Sequence, residues 1–223
     1  MLLNQINLLI FDMDGLLINT EHTYREGWKY AFNKNNINVN DDIITSWVGK
    51  SVHETGKQLL ELCGSEEIYI KIREDRESYI YDALYKDEIK VMPYAKEVLK
   101  LAKENGYVTG LATSSHKKRA VDVLTYLGLI EYIDIPVFGD SVERLKPFPD
   151  LYNEVLVQAK TTADYALALE DSITGAKAAD AANIKTILVP DCDSKENLST
   201  LPGNVIIKAI DLSVLKKWMT IFN

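Results

Sequence analysis

The chain has 223 residues, 47% of them hydrophobic and 26% charged, and a formal net charge of −8. That is an ordinary globular composition with enough apolar material for a sizeable core, and its acidic balance argues against nucleic acid or an anionic membrane as partner. The two cysteines, Cys63 and Cys192, lie far apart and without metal-ligand spacing, which reads as free thiols in a reducing compartment.

The opening stretch MLLNQINLLIFDMDG is apolar but short, has no basic leading segment and is cut by Asp12, so it does not read as a signal peptide. No run is long enough to span a bilayer, and the expectation is a soluble cytoplasmic protein. Residues 6–11 form the first strand candidate. From residue 16 to about 90 the texture becomes helical: TEHTYREGWKYAFNKNN, SVHETGKQLLELCG and SEEIYIKIREDRESYIYDALYK place apolar residues three and four apart, and no convincing strand lies among them.

From residue 91 strands and helices alternate. YAKEVLKLAKEN is a helix opened by Pro93 and closed by Gly106, YVTGLA a strand, and HKKRAVDVLTYLG a helix for which Ser115 is the expected N-cap. IDIPVF, YALALE, KTILVP and NVIIK follow as strands, with PDLYNEVLVQAK, TGAKAADAAN and DLSVLKKWM as helices. Strands separated by helices imply right-handed crossovers and an α/β, doubly wound, mostly parallel sheet. The first strand belongs to it, so residues 1–15 and 91–223 are expected to form the core and residues 16–90 an inserted helical bundle.

In an open parallel sheet, ligands bind beyond the carboxyl ends of the strands. The first strand ends in Asp12 and Asp14, the second in Thr113, Ser114 and Ser115, the fourth in Glu170 and Asp171. If strand geometry extends to Asp14, both carboxylates of the DMDG stretch address one space. Acids gathered there repel when ionised, a conflict that a divalent cation removes, and an all-oxygen donor set suits Mg²⁺. Lys146, in a loop braced by Pro147 and Pro149, supplies a cation that can neutralise an attacking carboxylate and a phosphate together.

Each feature alone has a plainer reading. DMDG is also an Asp-Gly turn, and lacks the further acids of a calcium loop. Thr113, Ser114 and Ser115 are also helix-capping residues, Lys146 a solvated lysine, and Glu170 with Asp171 a loop cap. His22, His53 and His116 share no spacing, and the tyrosines of residues 69–85 read as packing. The case for a site is the ordered set.

That set resembles the haloacid dehalogenase superfamily of aspartate-nucleophile phosphotransferases. FDMDG is similar to its first motif, LATSS to the second, LKPFPD to the third and LEDSITGAKAADAANI to the fourth. The long gap between the first two fits the subgroup with a helical cap after the first strand, and DGLLINTEHTYREGW resembles the beginning of the cap in the beta-phosphoglucomutase-like group. Leu145 departs from the usual Gly before the lysine, and Asn19 from a frequent Asp. Val48 and Val52 stand where the mutases carry basic residues that grip a second phosphate, with Lys50 in a different slot, and Tyr24 stands where they carry a histidine. Hydrolysis is therefore expected over mutase transfer, which is the alternative; a non-catalytic phosphometabolite-binding protein ranks third, because the nucleophile, acid–base and lysine positions are all intact.

The resemblance implies a role for each residue. Asp12 is the nucleophile that forms an aspartyl-phosphate, and Asp14 the general acid–base. Mg²⁺ is held by the Asp12 side chain, the Asp14 carbonyl and Asp171, with Glu170 a ligand or an orienter of its waters. Thr113, Ser114 and Lys146 hold the phosphoryl group, Gly15 permits close backbone approach, and Lys50 contributes to phosphate binding. Glu21, His22, Lys50 and Ser51 are candidates for reading the leaving group. The implied substrate is a small phosphorylated metabolite, such as a sugar phosphate, turned over by a monomer.

Overall fold

The computed structural model describes residues 5–47, 52–190 and 201–222. Val48, Lys50, Ser51 and Cys192 lie outside the described residues. The chain divides into two compact units, one of residues 1–18 and 91–223, the other of residues 19–90.

The first unit begins with β1 (Leu8–Phe11), an uninterrupted apolar strand buried along its whole length, as expected of a strand covered on both faces. The second unit follows, with α1 (Glu21–Lys34), α2 (Asp41–Thr45), α3 (Val52–Cys63) and α4 (Glu66–Tyr85). It has its own apolar centre, in which Ala31, Phe32, Ile44, Trp47, Leu59, Cys63 and Ile72 are buried together. Trp47 meets Trp28 edge-on at 5.4 Å between ring centroids. Asp75 of α4 accepts from Lys34 and Asn35 at the end of α1, each at 2.7 Å, and so ties the two long helices together. At the ends of the unit, Asn19 donates its N–H to the Lys90 carbonyl at 3.0 Å, and its side-chain oxygen accepts from the Lys90 N–H at 2.5 Å. The tyrosines of α4 pack: Tyr79 lies against Tyr30, and Tyr81 against Tyr85.

The first unit resumes with α5 (Ala95–Glu104), β2 (Val108–Ala112), α6 (Lys117–Tyr126), β3 (Ile135–Val137), α7 (Asp150–Ala159), β4 (Ala166–Glu170), α8 (Ile173–Ala181), β5 (Lys185–Leu188), β6 (Val205–Lys208) and α9 (Ser213–Phe222). Six strands form one parallel sheet in the order β3-β2-β1-β4-β5-β6. Side chains alternate along a strand. Leu8 and Ile10 of β1 and Ala166 and Ala168 of β4 therefore share a face, where they bury Leu151, Tyr152 and Val155 of α7 and Ala178 and Ala179 of α8. Among the described residues, no helix is long and apolar enough to cross a membrane.

Two details differ from the sequence expectation. The short helix α2 was not anticipated: its five residues are too few to show a helical period, and it is held by the Asn40 side chain accepting from the Asp42 N–H at 3.0 Å. Ser115 is not the N-cap of α6; His116 takes that place in extended backbone, because the Ser115 hydroxyl is turned to Asp14 instead.

Candidate active site

The register of the sheet builds the site. β1 pairs with β4 so that Ile10 stands opposite Ala168, and the Asp12 N–H donates to the Leu169 carbonyl at 3.0 Å. Two residues further along, Asp12 and Glu170 reach the same level on the face covered by α7. Asp171 follows directly. Asp12, Glu170 and Asp171 each offer a carboxylate oxygen within 4.8 Å of the others, and all three residues are buried.

Lys146 enters this group from the loop before α7, after which the Lys146–Pro147 peptide is cis. It is 6% exposed, and its Nζ donates to Asp12 Oδ1 and to Glu170 Oε1, each at 2.5 Å. Tyr152, in the first turn of α7, donates its hydroxyl to the same Glu170 oxygen. Leu145, where a glycine was the familiar choice, packs against the core beneath this face.

The electrostatics follow from burial. Desolvation pushes Asp12 up to about 7; Lys146 opposes the rise, while Glu170 and Asp14 add to it. Burial also works against the charge on Lys146, but Asp12 and Glu170 outweigh it and hold the ammonium cationic. Burial and the neighbouring Glu170 carboxylate push the Tyr152 phenol well above its ordinary value, so it remains a donor. One buried lysine faces three buried carboxylates, and the excess of negative charge calls for a cation. Glu170 Oε2 is fully buried and has no hydrogen-bond partner among the described residues, a cost that a metal ligand avoids. Oxygen donors with one such orphaned atom fit a hard divalent cation.

Two glycines make room for these acids. Gly15, at φ +86°, lies so close to Asp171 that a Cβ there would stand 2.1 Å from Asp171 Oδ2. Its own N–H is committed to the Ile18 carbonyl at 2.8 Å, in the turn that follows β1. Gly175, in the first turn of α8, would place a Cβ 2.0 Å from Glu170 Oε2.

β1 ends at Phe11, and the chain turns after Asp14, whose Oδ2 accepts from the Ser115 hydroxyl at 2.7 Å. The Asp14 side chain stands outside the three-carboxylate group. Beyond β2, Thr113 Oγ1 accepts from the Ser115 N–H at 3.0 Å, which leaves the buried Thr113 hydroxyl its own proton to donate. The Ser114 carbonyl lies against Gly139, where a Cβ would come within 2.3 Å of it. Asp12, Asp14, Gly15, Thr113, Ser114, Lys146, Glu170 and Asp171 thus share the carboxyl-end edge of three neighbouring strands. Glu21 and His22 belong to the other unit, at the start of α1.

Tyr152 and Arg119 were not among the residues the sequence pointed to, and Ser115 stood among the strand-end hydroxyls with no role beyond capping. Tyr152 looked like one more apolar position of an amphipathic helix, and nothing local marks the carboxylate it reaches across the α7–β4 interface. Ser115 and Arg119 carried a weak signal, a hydroxyl and a guanidinium four residues apart at a helix start.

The chain is similar in sequence and fold to other proteins. The phosphorylated carbohydrates phosphatase of Thermotoga maritima is 30% identical over 182 residues, 80% of this chain and 82% of that protein. The validoxylamine A 7'-phosphate phosphatase of Streptomyces hygroscopicus subsp. limoneus is 27% identical over 184 residues, 78% and 81% of the two chains. Beta-phosphoglucomutase from Clostridium difficile superposes with a TM-score of 0.77 at 23% identity, covering 97% of this chain and 98% of that one, and shares its fold. The family model for haloacid dehalogenase-like hydrolases matches residues 9–189, and the chain belongs to that family.

Proposed function

We propose that the protein is an Mg²⁺-dependent phosphoric monoester hydrolase that acts on a small phosphorylated metabolite, with a phosphorylated carbohydrate as the leading class. The observation that carries this reading is Lys146 bonded at once to Asp12 and Glu170 in a buried cluster at the strand ends. Support for the substrate class comes from the Thermotoga maritima relative, named a phosphorylated carbohydrates phosphatase.

Asp12 is the nucleophile in this reading. With Oδ1 held by Lys146, Oδ2 attacks phosphorus; the bond from phosphorus to the leaving oxygen breaks, and an aspartyl-phosphate forms. Asp14 gives a proton to the departing alkoxide. It then takes one from the water that attacks the aspartyl-phosphate, releasing inorganic phosphate and regenerating Asp12. The Thr113 hydroxyl donates to a phosphoryl oxygen, and Lys146 balances charge on the nucleophile and the transferred group. Asp12, Glu170 and Asp171 would hold the Mg²⁺, which when bound screens the carboxylates from the phosphoryl oxygens. Val48, Val52 and Tyr24, where the mutases carry basic residues and a histidine, favour release of phosphate over transfer to a second position.

The test is phosphate release from a panel of sugar phosphates and other small phosphomonoesters, with Mg²⁺ and with chelator. The panel includes beta-glucose 1-phosphate, assayed also for glucose 6-phosphate. Metal-dependent phosphate release is expected; glucose 6-phosphate with little free phosphate would instead establish the mutase.

A further inference from the structure

Ser115 is fixed by its backbone at both ends. Its N–H donates to Thr113 Oγ1 at 3.0 Å, its carbonyl accepts from the Gly139 N–H at 3.0 Å, and the residue is 3% exposed. Its hydroxyl contacts Asp14 Oδ2 at 2.7 Å. Arg119, in the first turn of α6, donates from Nη2 to the same hydroxyl oxygen at 2.9 Å.

The direction of this chain is set by chemistry. A guanidinium has donors and no acceptor, so the Ser115 hydroxyl cannot give its one proton to Arg119. Asp14 takes it. Each link therefore donates toward the carboxylate, from Arg119 to Ser115 to Asp14, and the cationic end polarises the hydroxyl in the middle. An acid–base group must be held in place to be effective, and a carboxylate at the end of a short side chain has two rotatable bonds to restrain.

We propose that Arg119 and Ser115 are positioning residues for Asp14: they hold its conformation through Oδ2, so that the proton exchanged with the substrate travels on Oδ1. This rests on the reading of Asp14 as the acid–base group. In the first step the Oδ1 proton passes to the leaving oxygen as its bond to phosphorus breaks. In the second, Oδ1 takes a proton from water as that water's oxygen bonds to phosphorus and the bond from phosphorus to Asp12 breaks. Oδ2 keeps its hydrogen bond from Ser115 throughout. Within the LATSS stretch the resemblance assigns roles to Thr113 and Ser114; Ser115 and Arg119 enter from the geometry.

The experiment compares the full chain with its Ser115→Ala, Arg119→Met, Arg119→Lys, Ser115→Ala/Arg119→Met and Asp14→Ala variants, each checked for an unchanged melting profile. Two substrates are used: a hexose phosphate that the wild type hydrolyses, and p-nitrophenyl phosphate, whose leaving group departs without a proton. On the hexose phosphate, Ser115→Ala is expected to lower kcat about 10- to 30-fold, part of what an acid–base group contributes, with little change in KM. Arg119→Met is expected to lower it about 3- to 10-fold, and Arg119→Lys, which keeps a donor, to restore most of that loss. Because Arg119 acts through Ser115, the double variant should be no slower than Ser115→Ala alone. Rapid-quench phosphoenzyme formation from p-nitrophenyl phosphate should change little in these variants, while its hydrolysis slows and the phosphoenzyme accumulates.

Losses that multiply in the double variant, or phosphoenzyme formation equally slow from both substrates, would overturn the relay, provided Asp14→Ala still abolishes hexose phosphate turnover. Turnover of the hexose phosphate by Asp14→Ala near the wild-type rate would overturn the acid–base reading itself, and the relay with it.

Discussion

Tyr152 donates its hydroxyl to Glu170 Oε1, the carboxylate oxygen that also accepts from Lys146. Two donors on one oxygen divide the carboxylate: Oε1 belongs to Lys146 and Tyr152, and Oε2 is left buried with no hydrogen-bond partner among the described residues. The phenol is fully buried and is held by the packing of α7 on the sheet, so the orientation of Glu170 is a property of the core.

Tyr152→Phe removes one charge-assisted hydrogen bond without opening a cavity. Stability should fall by about 1.5–3 kcal/mol, as for hydrogen bonds to charged groups, read by urea unfolding. The Mg²⁺ concentration for half-maximal activity should rise, because Glu170 loses one of its two restraints. An unchanged Mg²⁺ requirement would show that Lys146 alone orients the carboxylate.

Gly175→Ala tests the same carboxylate from the other side. Alanine is the better helix former by about 1 kcal/mol, so propensity alone predicts stabilisation. Its Cβ would stand 2.0 Å from Glu170 Oε2, however, and the buried carboxylate has to move. Activity should fall by about tenfold or more, a shift that a small displacement of a catalytic group suffices to cause, with the helical circular dichroism retained. Activity equal to wild type would mean that Glu170 has room that the structure does not show.

Much of this was legible in the sequence. The strands read as short apolar runs because both faces of the sheet are covered, and polar residues at their ends stood out for that reason. Asp12, Lys146, Glu170 and Asp171 were each ambiguous alone and became a set once the alternating strands and helices implied one parallel sheet. Tyr152 was not legible: its partner lies on a different element, and only the packing of α7 on β4 brings them together. Ser115 was misread as a helix cap because a hydroxyl before a helix usually is one, and its partner, Asp14, is distant in sequence. The helix α2 carried a capping signal in Asn40 but too few residues for a period.

Asp134 provides a pH test away from the site. Burial raises its pKa, but the Lys103 ammonium and the Thr109 backbone and side-chain donors outweigh this and hold the carboxyl below its ordinary value. A group depressed in the folded state contributes stability that is present above its unfolded value, about 3.9, and is lost as pH falls through the folded value. The stability gap between wild type and Asp134→Asn should therefore be constant from neutral pH to about pH 5 and shrink below about pH 4, measured by urea unfolding. A gap that widened on acidification would reverse the sign of the Asp134 interaction.

Every role proposed at the site depends on Asp12 as a metal-assisted nucleophile. The first measurement is phosphate release from small phosphomonoesters with Mg²⁺, with chelator, and with Asp12→Asn. Release that needs Mg²⁺, stops with chelator, returns on adding the metal back, and is abolished in a folded Asp12→Asn is the expected result. Release that persists in Asp12→Asn at near wild-type rate would rule out Asp12 as the nucleophile.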